Sequence, residues 1–334
     1  MSKISFLLCW LTSSRDNSCS GVPEKPSDYE DCPIGEPVDN GSINNDGTNY
    51  LPEASGLAYS RRTDGVLWTF NDSGGPAKVF AISEQGERLA DVELEGIENF
   101  DWEDIAINVE GGVSMIYVAD MGNNGHDRPV LYIYKFAEPA VTVECVEGLC
   151  DRVDIMVSAD DIETIEFTWP DYSHDCEALA IDPATGDMLL FTKDYGDDAI
   201  SEVYKFPTDS MPGELQVLEY VGQIPHKEVT AAEISPLGDT LAISCYGEGW
   251  SYSLPPEQTW VEYLASNPTD PCFLKLAVEE QREAITVTET AYWTTSESSN
   301  ESRGSAPLWY YERYAAAFRN PLPSVSMLTS RCRT

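Results

Sequence analysis

Three glutamates occupy the same place in a strand motif that recurs along the chain. Glu103 lies in WEDIAIN, Glu177 in CEALAID and Glu283 in REAITVT. In two further copies, SGLAYS and TAAEISP, Ser55 and Thr230 stand at that position. Carboxylates held close together cannot all stay ionised without protons, a basic side chain or a cation. If the copies converge in the fold, we therefore expect an acidic site.

A second set of polar residues ends the strand that follows each motif. Its members are Asn71, Asp120, Lys193, Cys245 and Ser296, followed by Asp72, Asp194 and Glu297. Calcium accepts oxygens from carboxylates, amides, carbonyls and water. The pattern predicts a divalent cation, calcium by this chemistry, and the predicted ligands are Glu103, Asn71, Asp120 and Glu177. The alternative is that these side chains cap strand ends, bind turn amides or hold channel waters.

The same residues suggest a reaction. A bound metal would polarise a carbonyl group and lower the pKa of a bound water, and Glu177 or Glu283 would take the proton of that water. Lys193 would stabilise the developing oxyanion, and His174, in the loop before Glu177, is a candidate general base. The predicted activity is metal-assisted hydrolysis of a lactone or ester. The alternative is a non-catalytic module that recognises a small molecule or a protein at this face.

The repeat itself predicts the fold that would position these residues. Each motif continues into a turn and further short strands rich in β-branched and aromatic residues. Repeats of roughly 40–50 residues with several strands each are typical of β-propellers. We predict an all-β, single β-propeller with five four-stranded blades and a polar N-terminal extension, and a sixth blade stays open. In this fold the first strand of every blade lines the channel, so the two polar sets share one face.

The predicted organisation divides the chain into four parts. They are a leader at 1–20, a disordered or cysteine-stapled linker at 21–52, the propeller at 53–315 with an insertion at 137–160, and a C-terminal strand or tail at 316–334. Blade five would be completed either by this tail or by an N-terminal strand.

The net charge and the N-terminal segment limit the possible function and location of the protein. The net charge of −38, from 58 acidic and 20 basic residues, excludes a nucleic-acid partner because phosphates demand Lys and Arg. The apolar run in MSKISFLLCWLT fits a signal-peptide core and is too short to span a bilayer. We therefore expect an exported protein, periplasmic or extracellular, without a transmembrane segment. A monomer is compatible with the sequence, which leaves the oligomeric state open.

The cysteines support the same location. Their spacing fits no zinc site, so disulfides are the expected use. The candidate pairs are Cys145 with Cys150, Cys19 with Cys32, and Cys245 with Cys272.

Several motifs together carry a resemblance over about residues 53–313. The blocks are ASGLAYSRRTDGVLWTFNDSGGPAKVFAI, FDWEDIAIN, YVADMGNNGHDRP, SHDCEALAIDPATGD, VTAAEISPLGDTLAI and QREAITV. This combination resembles a group of exported bacterial propeller proteins of largely uncharacterised function. It is more distantly similar to gluconolactonase-like and phytase-like propellers, in which a divalent cation sits at the channel mouth. That kinship implies a metal held by Glu103, Asn71, Asp120 or Glu177. The chain shows five blades rather than the six of the lactonases, and it lacks the basic clusters of a phytase.

Overall fold

The computed structural model describes residues 25–26, 29–43, 48, 50–143, 145–146, 149–195, 199–208, 213–279, 281–297 and 306–314. Its strands are numbered along the chain. In the first half they are β1 (Val38–Ile43), β2 (Ala54–Tyr59), β3 (Val66–Asn71), β4 (Lys78–Ser83), β5 (Arg88–Leu94), β6 (Trp102–Glu110), β7 (Val113–Asp120), β8 (Leu131–Ala137), β9 (Cys145–Val146), β10 (Leu149–Cys150), β11 (Val153–Val157) and β12 (Glu163–Thr168).

The second half continues the same pattern of short strands. They are β13 (Cys176–Ile181), β14 (Met188–Thr192), β15 (Ser201–Lys205), β16 (Gln216–Val217), β17 (Glu219–Ile224), β18 (Val229–Ile234), β19 (Thr240–Cys245), β20 (Gly249–Ser253), β21 (Cys272–Leu274), β22 (Arg282–Val287), β23 (Ala291–Ser296) and β24 (Ala306–Glu312). A 3-10 turn spans Ala159–Asp161, and a helix, α1, spans Trp260–Leu264. No helix in the described ranges has the length and apolar character needed to cross a bilayer.

Five sheets form the blades of a propeller, as the repeat predicts. From the channel outward they are β2-β3-β4-β5-β11, β6-β7-β8-β12-β16, β13-β14-β15-β17, β18-β19-β20-β21 and β22-β23-β24-β1. The innermost strands contact one another in the order β2, β6, β13, β18 and β22, and β22 contacts β2 again. The ring therefore closes with five blades.

An N-terminal strand closes the ring. Strand β1 pairs antiparallel with β24, so blade five takes its outer strand from the segment predicted to be a linker. The linker prediction was wrong here because VDNGSI has no apolar alternation. As an edge strand it receives its hydrogen bonds from β24 and buries Ile43 alone among its six residues. The tail at 316–334 and the leader at 1–20 lie outside the described residues.

The insertion at 137–160 also joins a blade. It contributes β11, which pairs in parallel with β5 and widens blade one to five strands. Strands β9 and β10 form a small hairpin in the same insertion, with Cys145 opposite Cys150 in the ladder. A bond between these two cysteines stays a prediction.

Apolar packing between neighbouring blades forms the core. There are five clusters of buried residues among the described residues, one at each blade interface. Phe70 of blade one meets Trp102 of blade two edge to face, with 5.5 Å between the ring centroids. Inner strands are apolar on both faces because each sheet is covered by a blade on either side, and CEALAI of β13 is buried throughout.

The disulfide joins cysteines that the sequence paired differently. Cys32 is bonded to Cys272, so the expected pairs Cys19 with Cys32 and Cys245 with Cys272 are wrong. The amide of Cys32 donates to the carbonyl of Phe273 at 2.8 Å, which places the N-terminal segment against the outer strand of blade four. Cys245 ends β19, the second strand of blade four, as a buried free thiol. Cys19 lies outside the described residues.

Candidate functional site

Each innermost strand carries a break in its pairing register near its first residues. In β6, Trp102 pairs with Asp120 and Asp104 with Ala119, which leaves Glu103 as the extra residue of a bulge. The same break leaves Glu177, Thr230 and Glu283 unpaired in β13, β18 and β22, and in β2 it follows Ser55 directly. A bulge bends the strand and re-aims a side chain. Four of the five aligned sequence positions therefore coincide with a bulge, and in the fifth strand, β2, the bulge begins one residue after Ser55.

One group of carboxylates in the described residues has the spacing of a metal site. Asp72, Asp101 and Glu103 each place a carboxylate oxygen within 4.8 Å of the other two. Asp72 follows β3 of blade one, whereas Asp101 and Glu103 flank the start of β6 in blade two. We call these three residues the acidic group.

The backbone is built closely around the acidic group. A Cβ atom at Gly122 would collide with the carboxylates of Glu103 and Asp101, so any other residue there would displace these two side chains. The amide of Gly122 donates to the carbonyl of Asp101 at 3.1 Å, which fixes this close approach. Because Gly122 has no side chain, the two carboxylates can lie directly against its backbone.

Burial and mutual repulsion shift the titration of the acidic group. Burial, with a contribution from Asp72, raises the pKa of Asp101 to about 6. Burial also raises the pKa of Glu103 well above its usual range, and the charges of Glu177, Asp72 and Asp101 add to that effect. The pKa of Asp72 is raised by burial as well. Because each carboxylate disfavours ionisation of the others, a cation among them would be stabilising.

A buried lysine lies beside the acidic group. The Lys193 ammonium forms an ion pair with Glu177 and donates a hydrogen bond to the Tyr246 hydroxyl at 2.6 Å. Burial alone would lower the pKa of Lys193, but Glu177 and Glu283 raise it above its usual value. Lys193 therefore remains a cation at neutral pH, and its charge compensates that of Glu177.

Glu283 is the carboxylate of this network that titrates near neutrality. Burial raises its pKa to about 7, against the opposing effect of Lys193 and with a further increase from Glu297. Tyr246 hydrogen-bonds Glu283 and joins it to Lys193. A group with this pKa can both accept and return a proton at pH 7.

Register corrects the predicted alignment of Lys193 by one residue. Cys176 pairs with Thr192, as Trp102 pairs with Asp120, so Thr192 is the residue equivalent to Asp120. Lys193 instead matches Asp72 and Tyr246, each the first residue after a second strand. Successive side chains of an extended segment point to opposite faces. This is why the residues after the strand ends, and not the strand ends themselves, meet at the site.

Two of the predicted metal ligands, Asn71 and Asp120, lie outside the acidic group and have partners within the protein. The side-chain amide of Asn71 donates to the carbonyl of Tyr50 at 2.8 Å, and its oxygen accepts from the amide of Glu53 at 3.2 Å. Asp120 forms an ion pair with Arg128 at 2.5 Å. Of the four predicted ligands, the acidic group contains Glu103, while Glu177 pairs with Lys193.

The predicted general base lies in an aromatic cluster of blade three. The His174 side chain is 3% exposed, and its Nε2 atom lies 3.1 Å from Asp171 and 3.1 Å from the Tyr204 hydroxyl. The Trp169 ring meets it edge to face. These contacts hold the imidazole against the blade, so the geometry gives it no evident part in the channel site.

Ser55 and Thr230 connect neighbouring blades. The Ser55 hydroxyl donates to the carbonyl of Glu103 at 2.9 Å, and the Thr230 hydroxyl donates to the carbonyl of Arg282 at 2.8 Å. Both residues replace a glutamate of the repeat with a short interblade hydrogen bond. The repeat glutamates therefore lie on blades two, three and five.

Sequence reasoning missed Asp101 and Tyr246 and did not count Asp72 among the ligands. Asp101 precedes the strand motif and is not repeated in the other copies. Tyr246 could have been found by aligning the residues that follow each second strand.

Comparisons with known proteins find similar solved structures but no family for this chain. No protein-family model matches the sequence, and no curated protein matches it. Among solved structures it is similar to the major allergen Mala s 1 of Malassezia sympodialis, at 10% identity and a TM-score of 0.49 over 81% of this chain and 96% of that one.

Two further solved structures are more distant. A calcium structure of a family AA12 carbohydrate-active enzyme from Trichoderma reesei shares 10% identity, with a TM-score of 0.42 over 78% of this chain and 80% of that one. Hydrazine synthase of Kuenenia stuttgartiensis shares 12% identity, with a TM-score of 0.38 over 77% of this chain and 95% of that one. These likenesses are too weak to carry an argument about function, and none supports the lactonase-like or phytase-like kinship in particular.

Proposed function

We propose that this propeller binds a divalent cation, with calcium as the expected ion, through Asp72, Asp101 and Glu103. The observation that carries the proposal is the spacing of three carboxylate oxygens within 4.8 Å of one another. The donors are all oxygens, which suits a hard cation such as calcium. The raised pKa of Asp101, about 6, means that the group loses repulsion when a cation enters.

The network next to the acidic group supplies the further groups that a metal-assisted hydrolysis needs. Lys193, Tyr246 and Glu283 supply a fixed ammonium, a hydroxyl and a carboxyl group that titrates near pH 7. In a hydrolysis of a lactone or ester, the metal would polarise the carbonyl and Glu283 would take the proton of the attacking water. Glu283 is the preferred base because Glu177 is held by Lys193. The Cys32–Cys272 disulfide supports an exported protein, since such bonds persist in oxidising compartments.

Thermal unfolding of metal-stripped protein tests the cation. We expect Ca²⁺ to raise the Tm. Parallel melts with Mg²⁺ and Mn²⁺ rank the three ions, and a melt in EDTA gives the metal-free reference. Asp101→Asn should abolish the shift, whereas Asp154→Asn, at an exposed position on the outer strand of blade one, should keep it. A wild-type protein whose Tm ignores all three ions would contradict the proposal.

A substrate panel of lactones, carboxylic esters and phosphoesters tests the catalytic part separately. If one is hydrolysed, Glu283→Gln should lower kcat by about 100-fold or more while calcium still raises the Tm. An unchanged kcat in that variant would remove Glu283 from the reaction.

A recognition role is the second candidate, and two exposed rings favour it. Phe100, next to Asp101, is 58% exposed, and Tyr195, with its ring 5.8 Å from the Lys193 ammonium, is 56% exposed. Aromatic faces beside carboxylates suit a basic side chain of a partner protein. In that case N-acetylarginine amide would bind and calcium would not.

A further inference from the structure

A cavity lies at the end of the channel opposite to the acidic group. Strand β2 runs from Ala54 near the acidic group to Tyr59, and β22 runs in the same sense to Val287. A cavity of about 710 Å³ opens there, between blades one and five, and residues that follow both strands line it. This volume falls within the range of small-molecule sites, roughly 300–1,000 Å³. None of the residues proposed to bind the cation lines it.

Aromatic rings form part of the wall. Tyr59, Trp293 and Tyr310 all line the cavity, and the rings of Trp293 and Tyr310 meet edge to face at 4.9 Å between centroids. Tyr59 and Tyr310 are partly exposed, whereas Trp293 is 2% exposed and supports Tyr310 from behind. Such rings offer flat apolar surfaces to a ligand.

Polar groups complete the lining. The Tyr59 hydroxyl lies 2.9 Å from the carboxylates of both Asp64 and Glu84, which fixes these acceptors at the wall. Arg61 is paired with Glu233 at 2.9 Å, so its charge is already compensated. Glu289 adds a further exposed carboxylate to the lining. The cavity therefore offers hydrogen-bond acceptors in excess and no uncompensated positive charge.

These walls define the class of ligand. The carboxylates disfavour an anion, and an apolar molecule, charged or not, would leave them without hydrogen-bond donors. A basic group that carries donors is the competing class, and the cationic probe below tests it. A hydroxylated ring gives donors to carboxylates and an apolar face to aromatic rings. We propose that this cavity binds a neutral polyhydroxylated ring compound of mono- or disaccharide size.

Ligand-observed NMR titration tests this proposal with the full chain. The probes are the neutral disaccharides cellobiose, mannobiose and xylobiose, with glucuronate as the anionic probe and N-acetylarginine amide as the cationic one. We expect at least one disaccharide to bind with a Kd of about 1 mM or below. Glu84→Gln should weaken it about tenfold, because a charged hydrogen-bond acceptor is lost. Tyr310→Ala should weaken it similarly, and Tyr310→Phe should retain binding.

Matched controls separate this site from the cation site. Glu103→Gln and EDTA should leave disaccharide binding unchanged, so failure of either proposal is visible without the other. If Tyr310→Ala does not fold, Glu289→Gln replaces it at an exposed position. Failure of all three disaccharides to bind at about 10 mM would overturn the proposal. Binding that survives both wall variants, or tighter binding of the anionic or cationic probe, would overturn it equally.

Discussion

Buried carboxylates occur in two regions of the channel, and they differ in what surrounds them. Midway along the channel, Asp104 accepts hydrogen bonds from the amides of Ile105, Leu179 and Ala232, at 2.9, 2.8 and 3.3 Å. These bonds join blades two, three and four. Glu233 in the same region pairs with Arg61 and accepts from the amide of Val287 at 2.7 Å, joining blades four, one and five.

The acidic group, in contrast, brings together carboxylates whose nearest charged neighbours include one another. Asp104 and Glu103 are adjacent in sequence and both are buried, yet one faces amides and the other faces acids. Burial alone therefore does not mark a binding site. The kind of partner separates a carboxylate that holds blades together from one that is ready for a cation.

The largest expected loss of stability comes from changing Asp104, whose carboxylate holds neighbouring blades together. Asp104→Asn should lower the free energy of unfolding by about 3 kcal/mol, because an amide nitrogen would replace an oxygen that accepts backbone hydrogen bonds. Urea unfolding of metal-free protein at pH 7 measures this. The adjacent change Glu103→Gln should cost less than about 1 kcal/mol, since it relieves repulsion. Equal losses of unfolding free energy in the two variants would contradict the distinction between a structural and a binding carboxylate.

Calcium should stabilise only through the acidic group. At a calcium concentration of 100 times Kd, the free energy of unfolding should rise by about 2.7 kcal/mol. Urea unfolding with and without calcium checks this value. Glu103→Gln should lose most of the gain, and Asp154→Asn should keep it. A gain that persists in Glu103→Gln would move the cation to another site.

Titration of Asp101 and Glu283 should make the metal-free protein less stable as pH rises. Carboxyl groups with a pKa of about 6 and about 7, as in Asp101 and Glu283, hold protons in the folded state that the unfolded state has already released. These two groups should therefore lower stability by about 1 kcal/mol or more between pH 4 and pH 7, whereas His226, whose pKa burial lowers to about 3, acts in the opposite direction below about pH 6.5. Tm measured against pH in EDTA checks this. Glu283→Gln should flatten the curve near pH 7, and a variant whose curve keeps the wild-type slope there would refute the direction assigned to Glu283.

The smallest effect concerns Asn71, a ligand that the sequence predicts and that the acidic group does not include. Asn71→Ala should cost about 1 kcal/mol, because its amide binds the backbone of Tyr50 and Glu53. Calcium affinity should not change beyond about twofold. Calorimetric titration of the variant measures both the affinity and the stoichiometry. A clear loss of affinity would restore Asn71 as a ligand.

The repeat was enough to predict the fold, because five inner strands with similar apolar runs must pack alike. An N-terminal strand was one of the two predicted ways to complete blade five, but its position could not be predicted, since VDNGSI carries no alternation and is specified by its partner β24. The same applies to the Cys32–Cys272 bond, which depends on where that segment crosses blade four.

The site was predictable only in part. The glutamates at the bulges follow from the repeat, whereas Lys193 was misaligned by one residue, and in an extended segment one residue reverses the direction of a side chain. Asp101 lies before its strand and has no repeated counterpart, so no periodic pattern could reveal it. The acidic group therefore emerges from the geometry of two blades and the bare backbone at Gly122.

Isothermal titration of metal-stripped protein with calcium tests the central claim most directly. The account predicts one saturable site in the wild type, with heat that disappears in both Asp101→Asn and Glu103→Gln and persists in Asp154→Asn. A wild type that takes up no calcium at millimolar concentration, or a variant pair that binds as tightly as the wild type, would contradict it.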